Sequence, residues 1–118
     1  MSTIKVDNIR IASESVSRPV TGVAAAWCVF NDTTLIKNMN VSSTTNNSRG
    51  NNTVNLTNNM SGSIYTITAT GGSSTKTHVQ TFYSVSSTGY GILNQMWETS
   101  NFADHNCTIG SEIHGDLA

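Results

Sequence analysis

Serine, threonine and asparagine supply roughly two in five of the 118 residues. Their short polar side chains compete with the main chain for its own hydrogen bonds, which disfavours helix interiors and leaves strands and turns. The chain is therefore expected to be all-β. Its length suits one domain, with no room for a catalytic unit beside a binding unit. Apolar residues make up 36% and charged residues 11%. That is too little charge for a disordered polyelectrolyte tail and too little apolar matter for an ordinary core. A small domain already buries a lesser share of its surface, so the lone chain is expected to be marginal and to associate with copies of itself.

Strand patterns run along the chain. Ile4 and Val6 alternate with Thr3 and Lys5, and Ile9 and Ile11 flank Arg10. The phase breaks at Asp7-Asn8, which predicts two short pieces joined by a bend and closed by Pro19, the only proline. Residues 1–20 thus read as a short extended N-terminal arm, anchored by Ile4, Val6, Ile9 and Ile11, and residues 21–118 as the head. In the head, Ala26, Cys28 and Phe30 share one face and Trp27 and Val29 the other, as in a central strand covered on both sides. Asn31-Asp32 predicts a turn, Leu35-Ile36 a short strand, and Asn46 to Asn51 a loop or hairpin tip. Val54 and Leu56 alternate with Asn55 and Thr57. Tyr65, Ile67 and Ala69 oppose Thr66 and Thr68 in the plainest amphipathic strand of the chain.

Beyond Gly71-Gly72, the residues Val79, Thr81, Tyr83 and Val85 are expected on one face and Phe82 on the other. Ile92-Leu93 and Met96-Trp97 fit a strand or a helical turn equally, 98–106 reads as loop, and Cys107, Ile109 and Ile113 form a closing strand. Six to eight short strands with frequent turns describe a β-sandwich or jelly-roll-like head.

The chemistry-bearing residues are sparse. A net charge of −1 offers no general attraction to phosphate backbones, and the six basic residues never cluster, so no nucleic-acid partner is expected. No apolar run is long enough to cross a bilayer, and the N-terminus lacks the layout of a signal peptide, which predicts synthesis in the cytoplasm without membrane insertion. Cys28 and Cys107 stand outside any metal-ligand spacing, as two buried free thiols or as a disulfide. His78, His105 and His114 are separated from one another, and Asp104-His105 lacks the nucleophile and third partner of a catalytic arrangement. The seven acidic residues are too scattered to single out a glycosidase pair. Neither an enzyme nor a cofactor or metal site is expected. The asparagine sequons at 40, 46, 51, 55, 59 and 106 follow from composition alone. Tyr90, Met96, Trp97 and Phe102 are the candidate contact residues, either stacking on receptor sugar rings or packing at a subunit interface.

The stretch Ala25-Ala26-Trp27-Cys28-Val29-Phe30-Asn31, then Ile36-Lys37, then Asn40-Val41-Ser42-Ser43, then Asn52-Thr53-Val54-Asn55-Leu56-Thr57, resembles a motif of bacteriophage tail-fibre proteins. The opening Ser2-Thr3-Ile4-Lys5-Val6-Asp7-Asn8-Ile9 and Arg18-Pro19-Val20 are similar to the start of such proteins. Order and spacing agree over roughly residues 2–70, and Val79 to His114 departs beyond a strand-turn-strand pattern. The resemblance implies a virion structural protein assembled in the host cytoplasm. It implies a homotrimer with an N-terminal arm docked on other virion proteins and a β-sandwich head; contact with a host surface glycan rests on the aromatic candidates above and not on the resemblance. A capsid decoration or head-fibre protein would use the same arm without needing a receptor. A polysaccharide depolymerase would need the clustered carboxylates that the chain lacks.

Overall fold

The computed structural model describes residues 8–9, 18–19, 24–32, 34–72, 77–98 and 100–118, all of them strand, turn or loop. Two short pieces pair in the arm: β1 (Asn8–Ile9) runs antiparallel to β2 (Arg18–Pro19). Of the anchor residues, Ile4, Val6 and Ile11 lie outside the described residues, and Ile9 pairs with Arg18 through the backbone. The head is a β-sandwich. One sheet has the order β4 (Thr34–Met39), β3 (Ala26–Asn31), β11 (Thr108–His114), β7 (Thr66–Gly71). In the other, β5 (Val41–Ser48) pairs β6 (Asn51–Leu56), which pairs β9 (Gly89–Glu98). The opposite edge of β9 carries β8 (His78–Ser86), and β10 (Asn101–Asp104) continues alongside β9 where β6 stops. All pairings are antiparallel.

The core follows from period-two alternation on the four central strands. Ala26, Cys28 and Phe30 of β3 meet Val54 and Leu56 of β6, Tyr90 and Ile92 of β9, and Ile109 and Ile113 of β11 in one buried cluster. Val41 at the start of β5 closes it, together with Met60 and Cys107 from the connections. Tyr65, Ile67 and Ala69 pack onto its margin as their alternation predicts.

Nine strands build the described head, against six to eight expected, and the departures have identifiable causes. β5 is polar on both faces, so hydrophobic period could not reveal it; it is an edge strand whose distal residues stay largely in solvent. β9 is apolar on both faces at Ile92-Leu93 and Met96-Trp97, which hid its period, yet it is the longest strand. The segment 98–106, read as loop, contains β10, with Phe102 opposite Trp97. On β8, Val85 leaves the face of Val79 and Thr81 and packs inward with Phe82. A bulge between Tyr83 and Ser86, with Ser84 at φ 48°, inverts the phase there. A second bulge, opposite Val29 and Phe30, lets Lys37 and Leu35 take consecutive partners and leaves Ile36 unpaired and exposed.

Asn40 makes the passage from one sheet to the other. Its φ of 56° lies in the left-handed region that asparagine tolerates better than most residues. Its Nδ2 donates to the carbonyls of Ala25 (3.1 Å) and Asn58 (3.2 Å), while its Oδ1 accepts from the Asn58 backbone at 2.7 Å. The last residues are tied down by Met60–Leu117 pairing and by Ala118 N donating to Asn59 O at 2.9 Å.

Both cysteines are free and buried. Cys28 Sγ lies 3.4 Å from Ser111 Oγ, which is 2.8 Å from the Tyr90 hydroxyl, a hydrogen-bonded chain that satisfies three polar groups inside the sandwich. Burial pushes the Cys28 thiol and the Tyr90 phenol up from their ordinary values, and the hydrogen bonds to Ser111 pull partly back. The folded chain thus holds these protons more tightly than the unfolded one. Their stabilisation is intact below the unfolded values of 9.0 and 10.0 and is lost as pH climbs from there towards the folded ones. Each contributes a slope of about 1.4 kcal/mol per pH unit within its window. Urea titrations at pH 7.5 and pH 10.5 should show the loss at the higher pH, and it should shrink in Cys28→Ala. Equal stability of the wild type at both would contradict the buried chain.

Candidate contact surface

Once β9 directs Tyr90, Ile92, Asn94 and Met96 into the core, alternation turns Gly91, Leu93, Gln95 and Trp97 outward. The four candidate contact residues are therefore divided. Tyr90 (1% exposed) and Met96 (6%) are interior and are corrected to core residues. Trp97 (46%) and Phe102 (42%) share the outer face of the β9–β10 hairpin. Their rings meet edge to face, centroids 5.0 Å apart at 74°, a favoured geometry that holds both rings in place.

The next row along the face is Val79–Gln95–Asp104. Gln95 Nε2 donates to Asp104 Oδ1 at 3.0 Å, so an oriented amide and a carboxylate flank the aromatic pair. Towards the β5 edge the face becomes fully polar. Asn47 Nδ2 donates to Thr53 Oγ1 at 2.9 Å and to Asn51 Oδ1 at 3.2 Å, and the Tyr83 hydroxyl donates to the same Asn51 oxygen. The Tyr83 ring lies directly over Gly91, whose missing side chain makes room for it. Asn55 Nδ2 donates to Ser43 Oγ at 3.1 Å. Side-chain ladders of this kind stiffen a surface that has little apolar matter to pack.

The histidines are less isolated than their sequence separation implies. His78 and His105 stand edge to face, with ring centroids 5.7 Å apart. The strands bring them together: β8 delivers His78 opposite Met96, and His105 N donates to Asn94 O at 3.0 Å as β10 ends. Around them Asn94, fully buried, donates from Nδ2 to His105 O at 2.6 Å and accepts from Gln80 Nε2 at 2.8 Å. Asn106 bridges two turns, accepting from Gly50 N at 2.6 Å and donating to Asp32 Oδ2 at 3.0 Å. These contacts clamp one end of the sandwich shut. The adjacent Asp104 and His105 face different partners, Gln95 and His78. His114 Nε2 lies 3.6 Å from Glu112 on the opposite sheet's outer face. Among the described residues, no group of three or more His, Cys, Asp or Glu could hold a metal ion, and no helix is long and apolar enough to cross a membrane.

Sequence reasoning missed the second exposed tryptophan. Trp27 was expected to be covered as part of a doubly buried strand, but it stands 36% exposed on the outer face of the other sheet, beside exposed Met39. The apolar residues on both faces of β3 were the available signal. They mark a surface left open in the single chain.

Compared with known proteins, the chain matches no family model, no curated protein and no solved structure.

Proposed function

We propose that this protein is a structural component of a bacteriophage particle, a tail-fibre-like appendage that acts by contact rather than by catalysis. One observation carries the reading: the residues that resemble the tail-fibre motif are consecutive parts of one structural unit. Ala26 and Phe30 of β3, Val41 at the start of β5, and Val54 and Leu56 of β6 all enter the same core, and Asn40 is the sheet-to-sheet hinge between them. Spacing that serves one packing unit has a physical reason to recur, whereas chance matches would scatter over unrelated surfaces.

On this reading residues 1–20 dock the protein on other virion proteins and residues 21–118 form the head, assembled as a homotrimer. Trp97 and Phe102 form the outward contact, flanked by Gln95 and Asp104. Two flat aromatic faces beside oriented hydrogen-bonding groups suit a host surface glycan, whose sugar rings present both C–H faces and hydroxyls. Deleting residues 1–20 should reduce incorporation into particles to background, while the circular dichroism of the truncated protein stays β-rich and its melt cooperative. Normal incorporation of the truncated chain would refute the anchoring role. On particles that carry Trp97→Ser with Phe102→Ser, attachment to host cells should fall at least about tenfold, as expected when an aromatic anchor pair is lost.

A further inference from the structure

We propose that the outer face of the sheet built from β5, β6, β9, β8 and β10 is a track for an extended, uncharged glycan, with Tyr83 as a second stacking position beyond Trp97 and Phe102. The inference rests on the glycan reading of that aromatic pair and adds the length and charge class of the ligand. Register orders the face in rows: Trp97 and Phe102 at one end, then Val79, Gln95 and Asp104, then Thr81, Leu93 and Asn51, then Tyr83, Gly91 and Thr53. Gly91 and Trp97 lie six residues apart on β9, which sets the two aromatic positions about 20 Å apart along the strand. That is several times the width of one sugar ring, so only a chain of sugars reaches both.

Tyr83 is held ready as a platform. A Cβ added at Gly91 would collide with Cζ and both Cε atoms of Tyr83. Collision with three atoms at the tip of one ring means that the ring lies across the strand, one face down and the other turned outward. Its hydroxyl donates to Asn51 Oδ1, which fixes the ring from its far end. Glycine weakens the interior of a strand, and here it is what lets the ring lie flat. Trp97 and Phe102 are held by their own edge-to-face contact. Aromatic faces oriented before binding lose little freedom when a sugar ring stacks on them.

Between the platforms, polar groups remain open. Gln95 Nε2 donates to Asp104 Oδ1, which leaves the Gln95 amide oxygen and the second Asp104 carboxylate oxygen free to accept. Asn51 Oδ1 accepts from Asn47 and Tyr83, and Asn51 Nδ2 makes no hydrogen bond among the described residues. Such a mixture of donors and acceptors suits hydroxyls, which both donate and accept. Charge narrows the class. Among the described outward-facing strand residues of this sheet, Asp104 alone is charged. No cation stands among them to meet a sugar carboxylate or phosphate, and Asp104 repels one.

Calorimetric titration of the full chain with malto-, isomalto- and cello-oligosaccharides, each as disaccharide and hexasaccharide, and with hexagalacturonate tests it. A neutral hexasaccharide should bind at least about tenfold more tightly than its own disaccharide and than hexagalacturonate. Tyr83→Ala should remove the gain from length, and Trp97→Ser should weaken disaccharide and hexasaccharide alike. Gly91→Ala keeps the tyrosine but lifts its ring, so it should also remove the gain, and it carries the test should Tyr83→Ala fail to fold. Thr68→Lys, on the outer face of the other sheet, should change none of these affinities. Far-UV circular dichroism and cooperative melts establish that each variant is folded. Equal binding of disaccharide and hexasaccharide, or a gain that survives both substitutions at the Tyr83 platform, overturns the extended track while the role of Trp97 and Phe102 stands. Preference for hexagalacturonate overturns the uncharged class. If none of the sugars binds, the track and the glycan reading of the aromatic pair fall together.

Discussion

Gly89→Ala is expected to destabilise the head by about 3 kcal/mol, the upper end of what overpacking usually costs. Gly89 is buried at the start of β9 opposite Asn55 of β6. An added Cβ would lie far inside van der Waals contact distance of the Val54 carbonyl oxygen and crowd the Asn55 Cα at 3.3 Å. Both obstacles are backbone, so no rotamer change relieves them and the two central strands must separate. Separation would also disturb the Gly89 carbonyl, which accepts from the Tyr65 hydroxyl at 3.1 Å and from Ser86 Oγ at 3.2 Å. Gly110→Ala is the matched control: it also sits mid-sheet, but its Cβ enters open space. Its stability should change by no more than about 1 kcal/mol, the usual glycine-to-alanine range within an element. Urea titration of both variants at low micromolar concentration separates the cases. Equal midpoints would show that β6 and β9 do not approach as closely as described.

Phe30→Ala should cost about 3–5 kcal/mol, through lost burial and the cavity left behind. Phe30 is wholly inaccessible to solvent and lies opposite Ile109 in the core cluster. In a chain with 36% apolar residues the loss is hard to absorb. Set against the ~5–15 kcal/mol by which domains are usually stable, much of the head's margin should disappear. The urea midpoint should fall with little change in slope, the mark of altered stability rather than altered compactness. A loss under about 1 kcal/mol would place Phe30 outside the core.

What could be read in the chain was whatever depends on period. The alternations at Ala26–Phe30, Val54–Leu56 and Tyr65–Ala69 identify strands and their inward faces because a half-buried strand has to alternate. Three kinds of element escape that logic. β5 is polar on both faces because it is an edge with little to cover. β9 is apolar on both faces because Leu93 and Trp97 stand on its outer side while Ile92 and Met96 enter the core. Val85 faces inward because a bulge at Ser84 inverts the phase, and a single serine in a serine-rich chain does not advertise a left-handed residue. The candidate site was legible in half. Trp97 and Phe102 are neighbours only because a turn pairs β9 with β10, and Tyr90 and Met96 fall to the interior by the same alternation that turns Trp97 out. The His78–His105 contact needed β8 and β10 to lie close to opposite edges of β9, which no local spacing records.

A common picture follows for both outer faces. A chain with so little apolar matter places both of its tryptophans on the surface, one per sheet. An indole left on the surface is material withheld from a thin core.

Electron microscopy of phage particles, purified from lysates that contain this chain and labelled with an antibody against the head, tests the proposed function most directly. The account predicts label on a projecting appendage of the tail, in multiples set by the oligomer. Label spread over the capsid, or particles that lack the protein altogether, would contradict it.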